Sequence, residues 1–305
     1  MVEKIAYYPG CTAKSYAKNF DHTAKQVMKE LGYELVELSS WNCCGTVFGS
    51  HEDNLAHQLA PLRNLIRTVE DGFNEVVTTC SMCYNTLKRA NLQFQNDSEK
   101  AERLNAFMYE EEDYEGNVKV LHLIELLRDR VDLQKVLERV EKPLNGLKIT
   151  PYYGCTLVRP REVSIDENPE RPTILSDLIY ALGGEVVTDP NMTECCGSYL
   201  TVKDKDLVVS RTYKLLKSMS KRGADVVMVS CPLCQFNLDR RQKEAREQHP
   251  DLPAIPILYF TQVMALAFGV DPEELGFQDH FVYPSILEKL NLMKKTKKVS
   301  VKVKK

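Results

Sequence analysis

Long apolar runs are missing from this 305-residue chain. The most apolar window, Ile257 to Val270, is too short to cross a bilayer and carries Thr261 and Gln262, so no membrane span is expected. No apolar stretch precedes Cys11, so no secretory leader is expected either. There is no G-x-G-x-x-G turn for a flavin or nicotinamide, and no C-x2-C-x2-C-x3-C-P segment of the ferredoxin type. Electrons would have to arrive from another polypeptide. Neither sign of charge dominates: 40 basic against 43 acidic residues leave a net charge of −3, which argues against nucleic acid as the main partner. Tryptophan occurs once, at Trp41. What remains is the expectation of a cytoplasmic protein, 43% apolar and long enough for two modest cores.

What the chain does have is cysteine in a pattern written twice. Cys11, the adjacent pair Cys43 and Cys44, then Cys80 and Cys83 form one set; Cys155, Cys195 and Cys196, then Cys231 and Cys234 form the other. Each reads C, a gap of 31 or 39 residues, CC, a gap of 35 or 34, then CxxC, and none of the ten cysteines is left over. In a cytosolic protein such clusters point to metal or redox chemistry sooner than to structural disulfides. The flanks repeat as well: Tyr8-Pro9-Gly10-Cys11-Thr12 answers Tyr153-Gly154-Cys155-Thr156, and Cys44-Gly45 answers Cys196-Gly197. Two repeats are too few for a solenoid, so two related lobes facing each other are expected, 1–145 and 146–290, with a basic tail from 291 to 305 carrying seven lysines.

Strands and helices alternate along both halves. Strands are expected at Ile5–Tyr8, Glu34–Leu38, Glu75–Thr79 and Val118–His122, then at Lys148–Tyr153, Glu185–Thr188, Asp225–Ser230 and Ile255–Tyr259. Helices are expected at Tyr16–Leu31, from Pro61 onward, after Cys80, from His122 to Val140, and near Ile174–Leu182, Leu207–Arg222, Leu233–Arg246 and Thr261–Phe268. This is an α/β pattern of two pseudo-symmetric lobes, each a mostly parallel sheet with flanking helices. Every cysteine motif falls at the carboxyl end of a strand, where such sheets gather ligands. The acidic run Glu110–Glu115 reads as a solvated loop between the third and fourth strands.

Five thiols per set is one more than a structural zinc or an ordinary iron–sulfur cluster takes. Adjacent residues lie about 3.8 Å apart at Cα and point their side chains differently. The CC pairs therefore suit neighbouring irons better than two corners of one tetrahedron. Gly10, Gly45, Gly154 and Gly197 let backbone approach a bulky centre, and Cys80 and Cys231 stand where a helix N-terminus favours thiolate. Thiol–disulfide exchange at a CxxC pair and zinc-stapled docking modules are the competing readings.

Both halves resemble the CCG cysteine-rich domain, and the duplicated form without an appended ferredoxin resembles HdrB, the disulfide-cleaving component of heterodisulfide reductase. The resemblance covers roughly residues 4 to 270 and all ten cysteines. It implies that each set of five binds a noncubane [4Fe-4S] cluster, two in all. It also implies reduction of the mixed disulfide of coenzyme M and coenzyme B in methanogenesis. The disulfide would lie between the clusters and take one electron from each. The implied partners belong to the same complex: a small ferredoxin-like polypeptide that feeds electrons and, through it, a flavin-bearing one. CCG domains also serve thiol:fumarate reductase and other anaerobic oxidoreductases, which keeps an electron-transfer role open. The coenzymes are anionic, so Lys14, Arg159, Arg161, Lys203 and Arg211 become candidate substrate contacts. His51, His57 and His122 are expected to be structural, and Trp41 to pack against its lobe.

Overall fold

The computed structural model describes residues 2–46 and 54–292. Among them the chain forms two four-stranded sheets. The first contains β1 (Glu3–Tyr7), β2 (Tyr33–Glu37), β3 (Glu75–Thr78) and β4 (Lys119–His122); the second contains β5 (Lys148–Tyr152), β6 (Glu185–Val186), β7 (Val226–Val229) and β8 (Ile257–Tyr259). Their strand orders are β2-β1-β3-β4 and β6-β5-β7-β8, and every pairing is parallel. Parallel strands are covered on both faces and read as continuous apolar runs; β7, Val-Val-Met-Val, is buried at every residue. In each sheet the chain runs to one edge and then crosses back over its first strand. The crevice of such a sheet opens where the order reverses, between β1 and β3 and between β5 and β7. Cys11 and Cys80 follow the first pair, Cys155 and Cys231 the second.

The lobes join through an amphipathic helix. Lys18–Glu30 buries Phe20, Thr23, Ala24, Val27 and Met28, the spacing of one helical face. That face meets the second lobe's helix Phe260–Ala267. Phe20 stacks on Tyr259 at 4.1 Å between centroids and meets Phe260 edge-on at 5.7 Å, and the hydroxyls of Thr23 and Thr261 lie 2.7 Å apart. Aromatic pairs of this kind contribute about 0.5–1.5 kcal/mol beyond the area they bury.

Several expected boundaries move, each for a local reason. The helix expected from Pro61 begins at Ala56 and carries Pro61 in its interior, where the ring gives no N–H to the helical ladder. The single helix expected from His122 to Val140 is broken: Leu123–Leu126 opens into a wider turn at Leu127–Val131, and Leu133–Glu138 restarts after Asp132. Asp132 has a φ of 72° and caps the new helix at the Gln134 N–H. Leu233–Arg246 is likewise two helices, Pro232–Arg240 and Gln242–Gln248. β8 starts at Ile257 because Pro256 has no N–H for the ladder, and β6 is only two residues long. The acidic run is not simply solvated. Glu111 receives Arg63 at 2.6 Å and Arg67 at 3.7 Å, and the Tyr114 hydroxyl is buried against Asn91 at 2.7 Å. The seven tail lysines lie outside the described residues.

His122 and Tyr259 hold equivalent places at the ends of β4 and β8, and both close a capping box on the helix that follows. Burial pushes the His122 imidazole down to about 3 from its ordinary 6.5. As the pH falls below 6.5 the unfolded chain takes up a proton here and the folded chain does not, so stability falls with pH across this window. Denaturant midpoints at pH 7 and pH 5 should therefore differ, with His122 contributing roughly 2 kcal/mol of the loss. His122→Asn, which keeps a cap acceptor, should flatten the dependence.

Candidate metal centre

The strand ends deliver the cysteines. Cys11 lies in the short helix Gly10–Ala13 after β1, and Cys80 and Cys231 are the N-caps of helices Ser81–Asn96 and Pro232–Arg240. Cys83 and Cys234 sit in the first turns of those helices, and the CC pairs lie in the loops beyond β2 and β6. Tyr8 and Tyr152 each reach across to hold the carbonyl just before a CC pair, Asn42 at 2.8 Å and Glu194 at 2.6 Å. The true counterpart of Tyr8 is therefore Tyr152, three residues before its cysteine as Tyr8 is; the sequence pairing with Tyr153 is off by one residue.

The two sets meet. The hydroxyls of Ser81 and Ser230 lie 2.8 Å apart at the junction of the lobes, and the adjacent Cys80 and Cys231 share a hydrogen bond. From there sulfur contacts run outward in both directions. Cys80 touches Cys83, Cys83 touches Cys44, Cys44 touches Cys43, and Cys43 lies 3.9 Å from Cys11. On the other side Cys231 touches Cys234, Cys234 lies 3.4 Å from Cys196, and Cys195 touches Cys155. Their proton affinities are strongly unequal. The hydrogen bond from Cys155, with help from the Gly197 N–H and the Arg211 guanidinium, lowers the Cys195 thiol to about 6. Hydrogen bonds from Cys231 and Cys83 hold Cys80 low as well, while Cys83 and Cys234 are pushed up by their neighbours and by burial.

These surroundings fit a polynuclear sulfur-bound metal group. Among the described residues, no three of these side chains converge as ligands of one ion, yet each of the ten thiols touches another. The backbone has been kept clear around them. Gly10 has a φ of 74°, and a Cβ there would stand 2.9 Å from Cys83 Sγ; Gly154 has a φ of 65° and would stand 3.2 Å from Cys234 Sγ. Gly45 and Gly197 share a φ of 77°, and each donates its N–H to the first sulfur of its CC pair.

The sets differ in access. Cys11 and Cys43 are exposed, whereas all five cysteines of the second set line a cavity of about 1140 Å³. The first lobe supplies part of its wall through Met82, Asn85, Thr86 and Arg89. Of the cations singled out from sequence, Arg159 and Arg161 line this cavity; Lys14, Lys203 and Arg211 do not. Arg159 is tied to the Thr193 carbonyl at 2.6 Å and to Glu170 at 3.0 Å. Arg211 clamps the Cys195 carbonyl at 2.8 Å, Lys14 pairs with Glu37 at 2.5 Å, and Lys203 is exposed. Trp41 packs edge-on to Tyr8 and donates to Glu37, and His57 lies in the first turn of its helix. His51 lies outside the described residues. Sequence reasoning missed Asn85 and Arg89. A signal existed for Arg89: Arg240 stands at the same interval after Cys234 as Arg89 does after Cys83.

The profile of the CCG cysteine-rich domain matches residues 5–88 and 149–239. The 8-methylmenaquinol:fumarate reductase membrane anchor subunit of Wolinella succinogenes is 30% identical over 92% of this chain and 98% of its own length. The B subunit of the ferredoxin/F420H2-dependent CoB-CoM heterodisulfide reductase of Methanosarcina acetivorans is 28% identical over 92% of this chain and 94% of its own. A hypothetical protein of known structure from Helicobacter pylori shares the fold, with a TM-score of 0.73 at 14% identity over 92% of this chain; the match spans 52% of that protein. Among the described residues no helix is long and apolar enough to cross a membrane.

Gly154→Ala should destabilise the anaerobic protein by about 1–3 kcal/mol, from the left-handed backbone and the crowded sulfur together. Gly72→Ala is the control, with a φ of 83° and nothing within 4 Å of the added Cβ. Chemical denaturation should show the smaller loss for Gly72→Ala, and equal losses would remove the crowding argument.

Proposed function

Since the chain belongs to the CCG cysteine-rich domain family, we propose that it is the disulfide-cleaving subunit of a cytoplasmic heterodisulfide reductase, acting on the coenzyme M–coenzyme B disulfide. The reading rests on one observation above the others: a wide cavity walled by both lobes and lined by all five cysteines of one set. Cys11, Cys43, Cys44, Cys80 and Cys83 would hold one noncubane [4Fe-4S] cluster, and Cys155, Cys195, Cys196, Cys231 and Cys234 the other. When bound, such groups supply electrons one at a time. The overall reaction, RSSR′ + 2e⁻ + 2H⁺ → RSH + R′SH, needs two electrons and two protons. Electrons would come through a ferredoxin-like partner and, behind it, a flavin-bearing one.

The chain's own residues bind, orient and protonate. Met82 and Val158, both buried, line the cavity and would keep water from the S–S bond, while Arg159 and Arg161 line it as cations. Tyr199 also lines the cavity, is half exposed, and donates its hydroxyl to the Cys195 sulfur. That hydroxyl is the side-chain proton source best placed to protonate a departing thiolate and be refilled from solvent.

A second reading has its own support in the Wolinella relative: an electron-transfer component of a fumarate-reducing complex. The two separate in one assay. Anaerobic protein given reduced methyl viologen and coenzyme M–coenzyme B disulfide should oxidise two viologens per disulfide cleaved. Viologen oxidation that never depends on a disulfide would favour the second reading. Under the first, Tyr199→Phe should lower kcat by about a hundredfold with KM little changed, as loss of a general acid does.

A further inference from the structure

Three successive carbonyls at the second CC pair are each held by a side chain from a different element. The Tyr152 hydroxyl, at the end of β5, donates to the Glu194 carbonyl at 2.6 Å. Arg211, in the helix Lys205–Lys221, donates to the Cys195 carbonyl twice, through Nε at 3.1 Å and Nη2 at 2.8 Å. The buried Asn237 amide, in the helix Pro232–Arg240, donates to the Cys196 carbonyl at 2.8 Å. A trans peptide carries its N–H opposite its C=O, so each carbonyl fixed in this way also fixes the direction of the N–H that follows. The Gly197 N–H shows the result, donating to Cys195 Sγ at 3.3 Å.

The duplication supplies a control inside the molecule. Asn42 stands before the first CC pair, where Glu194 stands before the second. The Tyr8 hydroxyl holds the Asn42 carbonyl at 2.8 Å, and the Asn42 side-chain amide donates to the Cys43 carbonyl at 2.8 Å. A neutral amide therefore suffices to hold this carbonyl. At the second pair a carboxylate has no hydrogen to donate, and Arg211 makes the contact instead while pairing with Glu194 at 3.1 Å. Its positive charge is more than holding a backbone oxygen requires. The arginine side chain is 35% exposed and the glutamate 52%, so solvent screens the negative partner more.

We propose that Arg211 is a positioning residue that raises the electron affinity of the metal group on the second cysteine set. It acts through Cys195, fixing the peptide that follows the ligand and placing a cation beside it. Each electron delivered by a reduced one-electron donor adds one unit of negative charge at the sulfurs. A fixed cation and N–H donors pointed at sulfur favour that reduced form. Glu194 opposes the cation, so the two members of this pair act on the same centre in opposite directions. The inference rests on the reading that Cys155, Cys195, Cys196, Cys231 and Cys234 hold an iron–sulfur group, and not on the identity of any disulfide.

The test is a potentiometric titration of the full anaerobic chain with dithionite, followed by electron paramagnetic resonance, with iron counted in every sample. In Arg211→Gln one reduction step should move to lower potential, its reduced-to-oxidised ratio at the wild-type midpoint falling about fivefold. Arg211→Lys, which keeps the charge without the fork, should recover most of that shift. Glu194→Gln should move the same step upward, since the Tyr152 contact to the backbone remains and only the opposing charge is lost. A role confined to holding the loop would lower iron content without producing shifts of opposite sign. If Arg211→Gln lost its iron, the upward shift in Glu194→Gln would still carry the proposal, and a downward or absent shift there would overturn it. An unchanged midpoint in Arg211→Gln at full iron content would overturn it as well. A wild type with no iron-dependent reduction step would remove the metal reading and this inference together. Opposite shifts in a protein that reduces no disulfide would support the inference and contradict the reductase reading alone.

Discussion

The contact between the two strand–helix junctions is the constraint on which the rest of the structure depends. Ser81 and Ser230 meet at 2.8 Å, and their neighbours Cys80 and Cys231 meet with them. Two parallel sheets can present their carboxyl edges to each other in this way only if something else holds the lobes together. That work falls to Phe20, stacked on Tyr259, and to Thr23 against Thr261. The apolar seam sets the distance, and the polar seam uses it to bring two sets of thiols into one neighbourhood. Both helix N-termini are directed at this junction, yet of its two cysteines only Cys80 is held low. Against the hydrogen bond from Cys234, the hydrogen bond to Cys80 and burial push Cys231 up to about 12, so the thiolate expected there from the helix end is not borne out.

Duplication explains the frame, and divergence explains the site. Positions in register between the lobes have taken different employments. His122 and Tyr259 still do the same job, capping a helix. Asn85 and Phe236 do not: one pins the loop of the opposite lobe, while the other packs against Tyr16 at 5.4 Å. Cys11 and Cys43 lie at the surface, whereas their counterparts Cys155 and Cys195 line a cavity that is walled in part by the first lobe. Among the described residues the two sets of thiols therefore differ in their surroundings.

Much of the fold was legible in the sequence because the signals are local. Val226–Val229 is apolar throughout, Phe20 to Met28 marks one helical face, and the two cysteine sets report the duplication by themselves. Boundaries were lost where a single residue acts against its segment. Asp132 takes a left-handed conformation that a side chain seldom adopts, Pro61 is tolerated inside a helix, and Pro256 delays a strand. Tyr152 was mistaken for its neighbour because spacing alone cannot say which ring turns toward the loop. The cavity was not legible at all. Asn85 and Arg89 gain their meaning from a loop that begins more than sixty residues later, and no periodicity within the Ser81–Asn96 helix announces that partner. Glu111 was read as solvated for the same reason, since Arg63 and Arg67 come from another helix.

The central claim is that both sets of five cysteines hold iron and sulfide. Iron, zinc and acid-labile sulfide should be counted per chain in anaerobically purified protein. The account predicts about eight irons with matching sulfide and little zinc, as two four-iron clusters require. One or two zincs with little iron would contradict it, and about four irons would leave only one of the two sets as a redox centre.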